Sequence, residues 1–270
     1  MLLRKPWLAP DALCKHLLVQ IINSRVLVDS TRFVWFKQLI NPYGIDGWNR
    51  YTSIAQLVHS VEKPKEMMTI LDVGGEGGHI RRFVNPGRHK ISVLDRNNDS
   101  LVRIKDSRIN AILGDGCNMN LEDDSFDIVL SCDSLEHVPD NKKQSYLLEL
   151  KRVAKRYVII HCPVDSADGM FCGTKCDSEF QKWYRNRYKE DEPNTAEHLS
   201  SGVPTIEMLK EAFPGCSITG KQNSDVWFSY KKTEYAPYKR FFNALIYKLN
   251  QKKKDDTPPY HACLLFWEKR

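Results

Sequence analysis

Thr69-Ile-Leu-Asp-Val-Gly-Gly-Glu-Gly-Gly-His79 places four glycines within five residues, directly after a short apolar run that contains an aspartate. This order predicts a buried strand, a tight turn and the start of a helix. Glycine permits φ > 0 and lets a ligand approach the main chain closely. Because the first amides of a helix lack intrahelical partners, the turn favours a negatively charged ligand group. The segment is therefore a candidate cofactor or nucleotide site, in which Glu76 is the unusual residue.

Strands and helices alternate in the pattern on the C-terminal side of this turn. Helices are predicted at segments such as Asp99–Lys105 and Asn141–Lys155, and again from Thr205 to Phe213 and over Pro237–Asn250. The alternation predicts a mostly parallel sheet covered by helices on both faces. The strand candidates are Thr69–Val73, Lys90–Asp95, Ile109–Leu113, Phe126–Cys132, Tyr157–His161, either Cys216–Thr219 or Val226–Ser229, and His261–Glu268.

Aspartates stand at or just after the ends of three predicted strands: Asp72, Asp95 and Asp115. Ligands of open α/β sheets bind outside the carboxyl ends of the strands, where Asp95 can accept hydrogen bonds from ribose hydroxyls and Asp115 from an adenine amino group. A dinucleotide frame that starts at Gly75 fails because Ile80 occupies the third glycine position. Asp72 would also repel a pyrophosphate, whereas it suits the ammonium group of an amino-acid moiety.

The segment Leu121-Glu-Asp-Asp-Ser-Phe-Asp-Ile-Val-Leu-Ser-Cys-Asp-Ser-Leu-Glu-His-Val138 continues this pattern. With Ile70–Gly78, Val93–Asp95 and Gly114-Asp115, it resembles the small-molecule, type 11-like branch of the class I S-adenosylmethionine-dependent methyltransferases. The resemblance covers Met68 to Pro163. It implies a Rossmann-like α/β fold with a seven-stranded, mostly parallel sheet, an antiparallel last strand and helices on both faces.

The resemblance also implies S-adenosylmethionine as the cofactor and assigns residues to it. Asp72, Gly74 and Gly78, with Gly75 in the same turn, correspond to the methionine end, and Asp95 and Arg96 to the ribose and adenine. Asp115 and Gly116 correspond to the adenine edge, and Ser131, Cys132 and Asp133 to the surroundings of the sulfonium. Glu76 departs from the family pattern by replacing its middle glycine. We expect a shifted turn in which Gly77 supplies the flexibility.

A hydroxyl or amine acceptor needs a base that takes its proton. His137 is the first candidate because it follows the fourth strand, although a structural role before Pro139 is the alternative. Asp133 and His198 are further catalytic candidates, with Glu136 and Tyr184 in reserve. Cys132-Asp133-Ser134-Leu135 stands where methyltransferases of nucleic-acid bases often carry an Asn/Asp-Pro-Pro-aromatic motif, which argues against that class.

Three functions remain open. Glu197-His198-Leu199-Ser200-Ser201-Gly202-Val203-Pro204 resembles a subgroup often found beside glycosyltransferases, which favours O-methylation of a small molecule, sugar or glycolipid precursor in an aromatic-lined pocket. An RNA methyltransferase would gather the scattered basic pairs around the site. A non-catalytic S-adenosylmethionine-binding module would place Glu76 in the methionine pocket.

The rest of the chain predicts an N-terminal helical extension over residues 1–65, with helices at Asp11–Asn23, from Asp29 to Ile40 and at Trp48–Val61. Residues 66–270 form the second domain, with an insertion at about 164–204. The insertion carries an aromatic stripe that either packs or forms a substrate-facing lid. The stripe consists of Phe180, Trp183, Tyr184, Arg187 and Tyr188.

Composition limits the function classes further. The net charge of +6 is dispersed along the chain. No apolar run approaches the roughly 20 residues of a membrane span and no signal peptide is recognisable, so a cytoplasmic location is expected. Peripheral membrane contact through the first helix is the alternative. The eight cysteines lack CxxC spacing, which predicts free thiols and no metal site. The pattern specifies no oligomeric state.

Overall fold

The computed structural model describes residues 44–63, 65–235 and 257–269. The helices predicted at Asp11–Asn23, from Asp29 to Ile40 and over Pro237–Asn250 lie outside these residues. Within them, the helix predicted at Trp48–Val61 begins earlier, as α1 (Gly44–Val61). The predicted domain boundary after residue 65 stays a prediction.

Seven strands form one sheet in the order β3-β2-β1-β4-β5-β7-β6. The last strand runs antiparallel to both neighbours, while the other six share one direction, which confirms the predicted sheet. The strands are β1 (Thr69–Val73), β2 (Lys90–Asp95), β3 (Ile109–Leu113), β4 (Phe126–Cys132), β5 (Ala154–Pro163), β6 (Ser217–Asn223) and β7 (Tyr260–Glu268).

Helices flank the sheet, as predicted. They are α2 (Asn98–Val102), α3 (Asp140–Val153), α4 (Gly173–Tyr188), α5 (Pro193–Ser201), α6 (Ile206–Ala212) and α7 (Ser224–Glu234), with short 3₁₀ helices at His79–Arg82 and Leu135–His137. The strand alternative at Val226–Ser229 is wrong, because this segment lies inside α7. The helix expected after the glycine turn is only the 3₁₀ turn His79–Arg82, because Pro86-Gly87 soon ends any helical run.

Two apolar layers cover the sheet. On one face, α3 buries the side chains that its helical spacing predicted, including Leu147 and Leu150, against Leu209 and Phe213 of the α6 region. On the other face, Ile54 and Val58 of α1 pack with residues of the 3₁₀ turn and β2. Each fully buried aliphatic side chain of this kind contributes about 1.5–3 kcal/mol to folding.

The aromatic stripe of α4 packs against α7. The ring of Phe180 lies 5.9 Å from that of Trp227 and 5.8 Å from that of Tyr235, centroid to centroid. Together these rings belong to a small hydrophobic cluster that is separate from the two main layers. The stripe therefore joins the inserted helix α4 to α7 and the residue that follows it. None of the helices that the structure describes has both the length and the apolar character of a membrane span.

Candidate active site

A cleft of about 590 Å³ lies at the carboxyl ends of β1, β2 and β4. It includes eight of the residues assigned from the sequence: Gly74, Asp95, Arg96, Asp115, Gly116, Cys132, Asp133 and His137. The other five lie buried behind its lining: Asp72, Gly75, Gly78, Ser131 and His198. Gly74 and His137 are 63 positions apart along the chain, and the fold brings both to the same cleft.

The glycine turn is packed too closely for larger residues. A Cβ atom on Gly74, where φ is 71°, would lie 1.9 Å from Oγ of Ser134. A Cβ atom on Gly75 would lie 2.4 Å from Oδ2 of Asp72. The turn is further fixed at β2 by the amide of Gly74, which donates to the carbonyl of Leu94 at 2.7 Å. These positions require glycine because the backbone passes directly over Asp72 and the loop after β4.

Glu76 takes a left-handed conformation with φ of 48°, and Gly74 and Gly78 are the other left-handed positions of the turn. Gly77, where we expected the flexibility, does not adopt it. The side chain of Glu76 is 58% exposed, and its carboxylate approaches Arg103 at 3.5 Å and His79 at 3.8 Å. The carboxylate is therefore held at the outer side of the turn rather than over Asp72.

Asp72 is fully buried under the turn, and neither of its carboxylate oxygens has a hydrogen-bond partner among the residues that the structure describes. Burial, reinforced by the nearby Asp95, raises the pKa of Asp72 to about 7. A buried carboxylate without a partner is costly. An ammonium group bound at the turn would relieve this cost, so the site fits the amino-acid end of S-adenosylmethionine.

Backbone amides orient the carboxylates of Asp95 and Asp115. Asp95 accepts from the amide of Asn97 at 2.8 Å and from that of Glu76 at 3.1 Å. Asp115 accepts from the amide of Cys117 at 2.9 Å. An ionised carboxylate has about four acceptor sites. Lone pairs thus remain in the cleft for ribose hydroxyls and an adenine amino group.

Ser131 positions the wall of the cleft. Its Oγ lies 2.8 Å from the hydroxyl of Tyr146, and that hydroxyl also donates to the carbonyl of Val73 at 3.2 Å. The ring of Tyr146 in turn leaves no room for a Cβ atom on Gly116. Cys132 lines the cleft. Burial and, to a lesser extent, the negative charge of Asp133 raise the pKa of its thiol well above the ordinary value, so the thiol is neutral.

Asp133 is held in an ion pair with Arg50 and accepts from Nδ1 of His161 at 2.7 Å. Burial would raise the pKa of Asp133, but Arg50 and His161 outweigh it and hold the pKa well below its ordinary value. A carboxylate with so low a pKa is a weak base. Asp133 is therefore suited to orient an acceptor rather than to deprotonate it.

His137 faces the cleft with both ring nitrogens engaged. Its Nδ1 lies 2.9 Å from Oε2 of Glu197, and its Nε2 lies 3.2 Å from Nε2 of His198. Burial and, to a lesser extent, the neighbouring imidazole of His198 lower the pKa of His137. Behind this pair, Nδ1 of His198 contacts Asp177 at 2.9 Å, and Asp177 also contacts His261 at 3.3 Å.

The cleft also contains residues that the sequence did not single out. Arg50 and Tyr51 come from α1, and Asn194 and Glu197 come from α5. The local sequence does not identify Arg50 as a site residue, because its partner Asp133 is 83 positions away. The reserve candidate Tyr184 lies in the aromatic cluster instead. Of the basic pairs that fall within the described residues, only one member, Lys142, lines the cleft.

Comparison with known proteins agrees with this geometry. Residues 71–161 match the family described as a methyltransferase domain. The sequence matches no curated protein.

Solved structures share the fold. The YcgJ protein of Bacillus subtilis has a TM-score of 0.51 and 16% identity, over 80% of this chain and 97% of its own. Phosphoethanolamine N-methyltransferase 2 of Haemonchus contortus, in complex with S-adenosyl-L-methionine, has a TM-score of 0.55 and 17% identity, over 91% and 58%. A putative sarcosine dimethylglycine methyltransferase of Galdieria sulphuraria has a TM-score of 0.54 and 15% identity, over 83% and 87%.

Proposed function

We propose that this chain is a class I S-adenosylmethionine-dependent methyltransferase and that it methylates a hydroxyl group of a small molecule, sugar or glycolipid precursor; the family match of residues 71–161 and the shared fold support the first part. The observation that carries the proposal is that His137 opens into the same cleft as Gly74, Asp95 and Asp115. One cleft thus offers groups for the methyl donor and a group that can act on the acceptor.

The donor side fits the cofactor, whose sulfonium supplies the activated methyl group. Asp95 would accept from the ribose hydroxyls and Asp115 from the adenine amino group. The unpartnered carboxylate of Asp72 would compensate the ammonium group. The alignment of donor and acceptor in one site provides much of the rate enhancement for such a displacement.

The acceptor side suits a hydroxyl group. A hydroxyl must lose its proton to become an effective nucleophile, and an imidazole at the position of His137 can take that proton. General-base catalysis of this kind contributes typically about 10²–10⁴-fold. Asp133, held by Arg50 and His161, offers an oriented acceptor for a second hydroxyl.

The two alternatives receive less support. An RNA methyltransferase needs a basic surface around its site, yet Lys142 is the only member of the described basic pairs in the cleft lining. The lining also contains Arg50, Arg96 and Arg103, but each of these lies beside a carboxylate, of Asp133, Glu197 and Glu76 respectively. A non-catalytic binding module needs Glu76 in the methionine pocket, yet its carboxylate lies beside Arg103 and His79. The aromatic lining expected for a small-molecule acceptor is limited to Tyr51 and Tyr146 within the described cleft.

Calorimetric titration with S-adenosylhomocysteine tests the donor side. We expect binding by the wild type and its loss in Asp95→Ala. Asp106→Ala is the matched control, because Asp106 pairs with Arg108 outside the cleft. No binding at high micromolar cofactor would remove the proposal, and unchanged affinity in D95A would show that the site is misplaced.

Labelled methyl transfer into cell extracts tests the acceptor. Extracts are separated into glycan, lipid, small-molecule and RNA fractions, and His137→Gln serves as the inactive control. Label in the glycan, lipid or small-molecule fraction supports the proposal. Label confined to RNA would replace it with the RNA alternative.

A further inference from the structure

Glu136 is a second buried carboxylate without a partner. It lies in the 3₁₀ helix Leu135–His137, its side chain is fully buried, and neither oxygen has a hydrogen-bond partner within the described chain. The nearest imidazole nitrogen, Nε2 of His198, is 4.0 Å from its Oε1. A carboxylate that is taken out of water needs a compensating positive charge. The proposed methyl transfer by His137 does not account for it.

The imidazoles of His137 and His198 lie beside Glu136, and their Nε2 atoms face one another. Carboxylates accept at both Nδ1 atoms, Glu197 on His137 and Asp177 on His198, at 2.9 Å each. Each Nδ1 therefore carries the proton, since an ionised carboxylate has none to give. In the neutral rings both Nε2 atoms are then lone-pair acceptors, yet they lie only 3.2 Å apart. Metal-bound histidines commonly hold their second nitrogen against a carboxylate in this way.

We propose that Glu136, His137 and His198 bind a divalent transition-metal cation, for which Zn²⁺ is the best match. Their ligand atoms all lie within 4.8 Å of one another. Bonds of about 2.0–2.2 Å in a tetrahedral site place neighbouring ligand atoms about 3.3–3.6 Å apart. The two Nε2 atoms are 3.2 Å apart, Nε2 of His198 is 4.0 Å from Oε1 of Glu136, and the third pair lies within 4.8 Å. Side-chain adjustments of about 1 Å bring all three to these separations. Two imidazoles and one carboxylate favour zinc or a similar ion and leave a coordination position open.

The surrounding residues support the three ligands from behind. Asp177 is fully buried and joins His198 to His261. Lys143 is buried too, and it donates to the carbonyls of Val138 at 2.7 Å and Ser201 at 2.6 Å. These bonds tie the loop after His137 to the end of α5, which carries His198. The two imidazoles are thus held in place from both sides.

The role of the cation rests on the proposed function, whereas its binding does not. His137 lines the cleft, so a cation held by its Nε2 would be in reach of an acceptor hydroxyl bound there. A hydroxyl bound there has a lowered pKa and loses its proton to water. Its oxygen then forms the bond to the methyl carbon, and the electron pair of the methyl–sulfur bond stays on sulfur. In the loaded enzyme His137 is a ligand, and the cation takes over the activation of the hydroxyl.

Zinc titration of the chelator-stripped full chain tests the binding. We expect Glu136→Gln to weaken the affinity by more than about 100-fold and Asp177→Asn by about 10–100-fold. Glu136→Gln keeps the shape of the side chain and removes a buried charge, so it is expected to fold. Thermal denaturation checks this, because zinc should raise the midpoint of the wild type and not that of E136Q. Equal zinc affinity in the wild type and E136Q would overturn the proposal.

Two control variants address two other groups that could bind zinc, and retention of zinc by Glu136→Gln would be the sign of binding at a third, Cys132, Asp133 and His161. The Sγ atoms of Cys172 and Cys176 lie 3.7 Å apart, so Cys172→Ser removes that alternative. His59 and His89 share the carboxylate of Glu62, so His59→Gln removes another. Both variants should retain the zinc equivalent that E136Q loses. Loss of that equivalent in either control would place the cation elsewhere.

The failures of the two proposals are distinguishable. If zinc does not bind, while S-adenosylhomocysteine binds and methyl transfer persists with chelator, the cation proposal fails alone. If zinc binds with the expected variant pattern and S-adenosylhomocysteine does not bind, the proposed function fails and the cation site stands.

Discussion

Replacing Asp72 by asparagine should make the apo-protein more stable, by an amount that grows with pH. The carboxyl group lies buried under the glycine turn, without a hydrogen-bond partner in the described part of the chain, and burial makes the folded chain prefer its protonated form. Asparagine has nearly the same shape and cannot ionise. Asp72→Asn therefore removes the cost of ionisation and leaves the packing of the turn intact.

The magnitude follows from the two pKa values. The unfolded chain releases the proton near the ordinary value of 3.8, whereas the folded chain holds it up to about pH 7. Because the pKa is raised on folding, the wild type loses stability as the pH rises through this window, by about 1.4 kcal/mol per pH unit. Between about pH 5 and pH 8 the loss amounts to about 3 kcal/mol. The Asp72→Asn variant should not lose this stability as the pH rises.

Urea denaturation of both proteins at several pH values between these limits measures the effect. The difference in the free energy of unfolding, D72N minus wild type, should increase with pH and level off above about pH 7. Other titrating groups, including Glu136, occur in both proteins and cancel in the difference. Asp106→Asn is the control, because Arg108 holds the pKa of Asp106 at about 2, below the whole range. A difference that stays constant with pH would refute the reasoning.

Three further variants test other parts of the site. Glu76→Gly should change stability by less than about 1 kcal/mol, since relief of the left-handed strain is offset by glycine entropy, and should preserve S-adenosylhomocysteine affinity. A tenfold loss in calorimetry would mean that the Glu76 side chain contacts the cofactor. His137→Gln should lower kcat by about 10²–10⁴-fold with cofactor affinity retained. A fall in that affinity instead would place His137 on the donor side. Lys143→Met should cost about 1–3 kcal/mol for each of the two carbonyls that it strands, by urea denaturation. Lys142, its exposed neighbour, provides the control, and Lys142→Met should leave the free energy of unfolding almost unchanged. Equal losses in the two variants would contradict the proposed role of Lys143 in joining the two carbonyls.

The strands and the glycine turn could be predicted because their signals are local. Alternation of apolar runs with helical segments identified β1 to β5, and Asp72, Asp95 and Asp115 lie within two residues of the ends of β1, β2 and β3. The orientation of Glu76 could not be predicted in the same way. It depends on Arg103, a residue 27 positions later that the turn itself does not specify.

The acceptor side was less predictable because its contacts are long-range. His137 and His198 were candidates, but their direct contact joins residues 61 positions apart. Asp177 contacts His261 across 84 positions, and no local pattern announces either partner. The sequence predicted no metal site for the same reason, since ligand spacings are recognisable only when the ligands are close along the chain.

The residues around the cleft come from two parts of the chain. The turn, Asp95, Asp115 and the loop after β4 all lie within residues 71–161, the range of the family match. Arg50, Asp177, His198 and His261 lie outside it and are connected to Asp133 and His137 only through folding. We therefore expect substitutions in α1, α4 or α5 to act on the acceptor side of the cleft and to leave the sheet in place. Exchange of the segment that contains α4 and α5 between proteins that share the matched segment would test whether this part of the chain determines the acceptor.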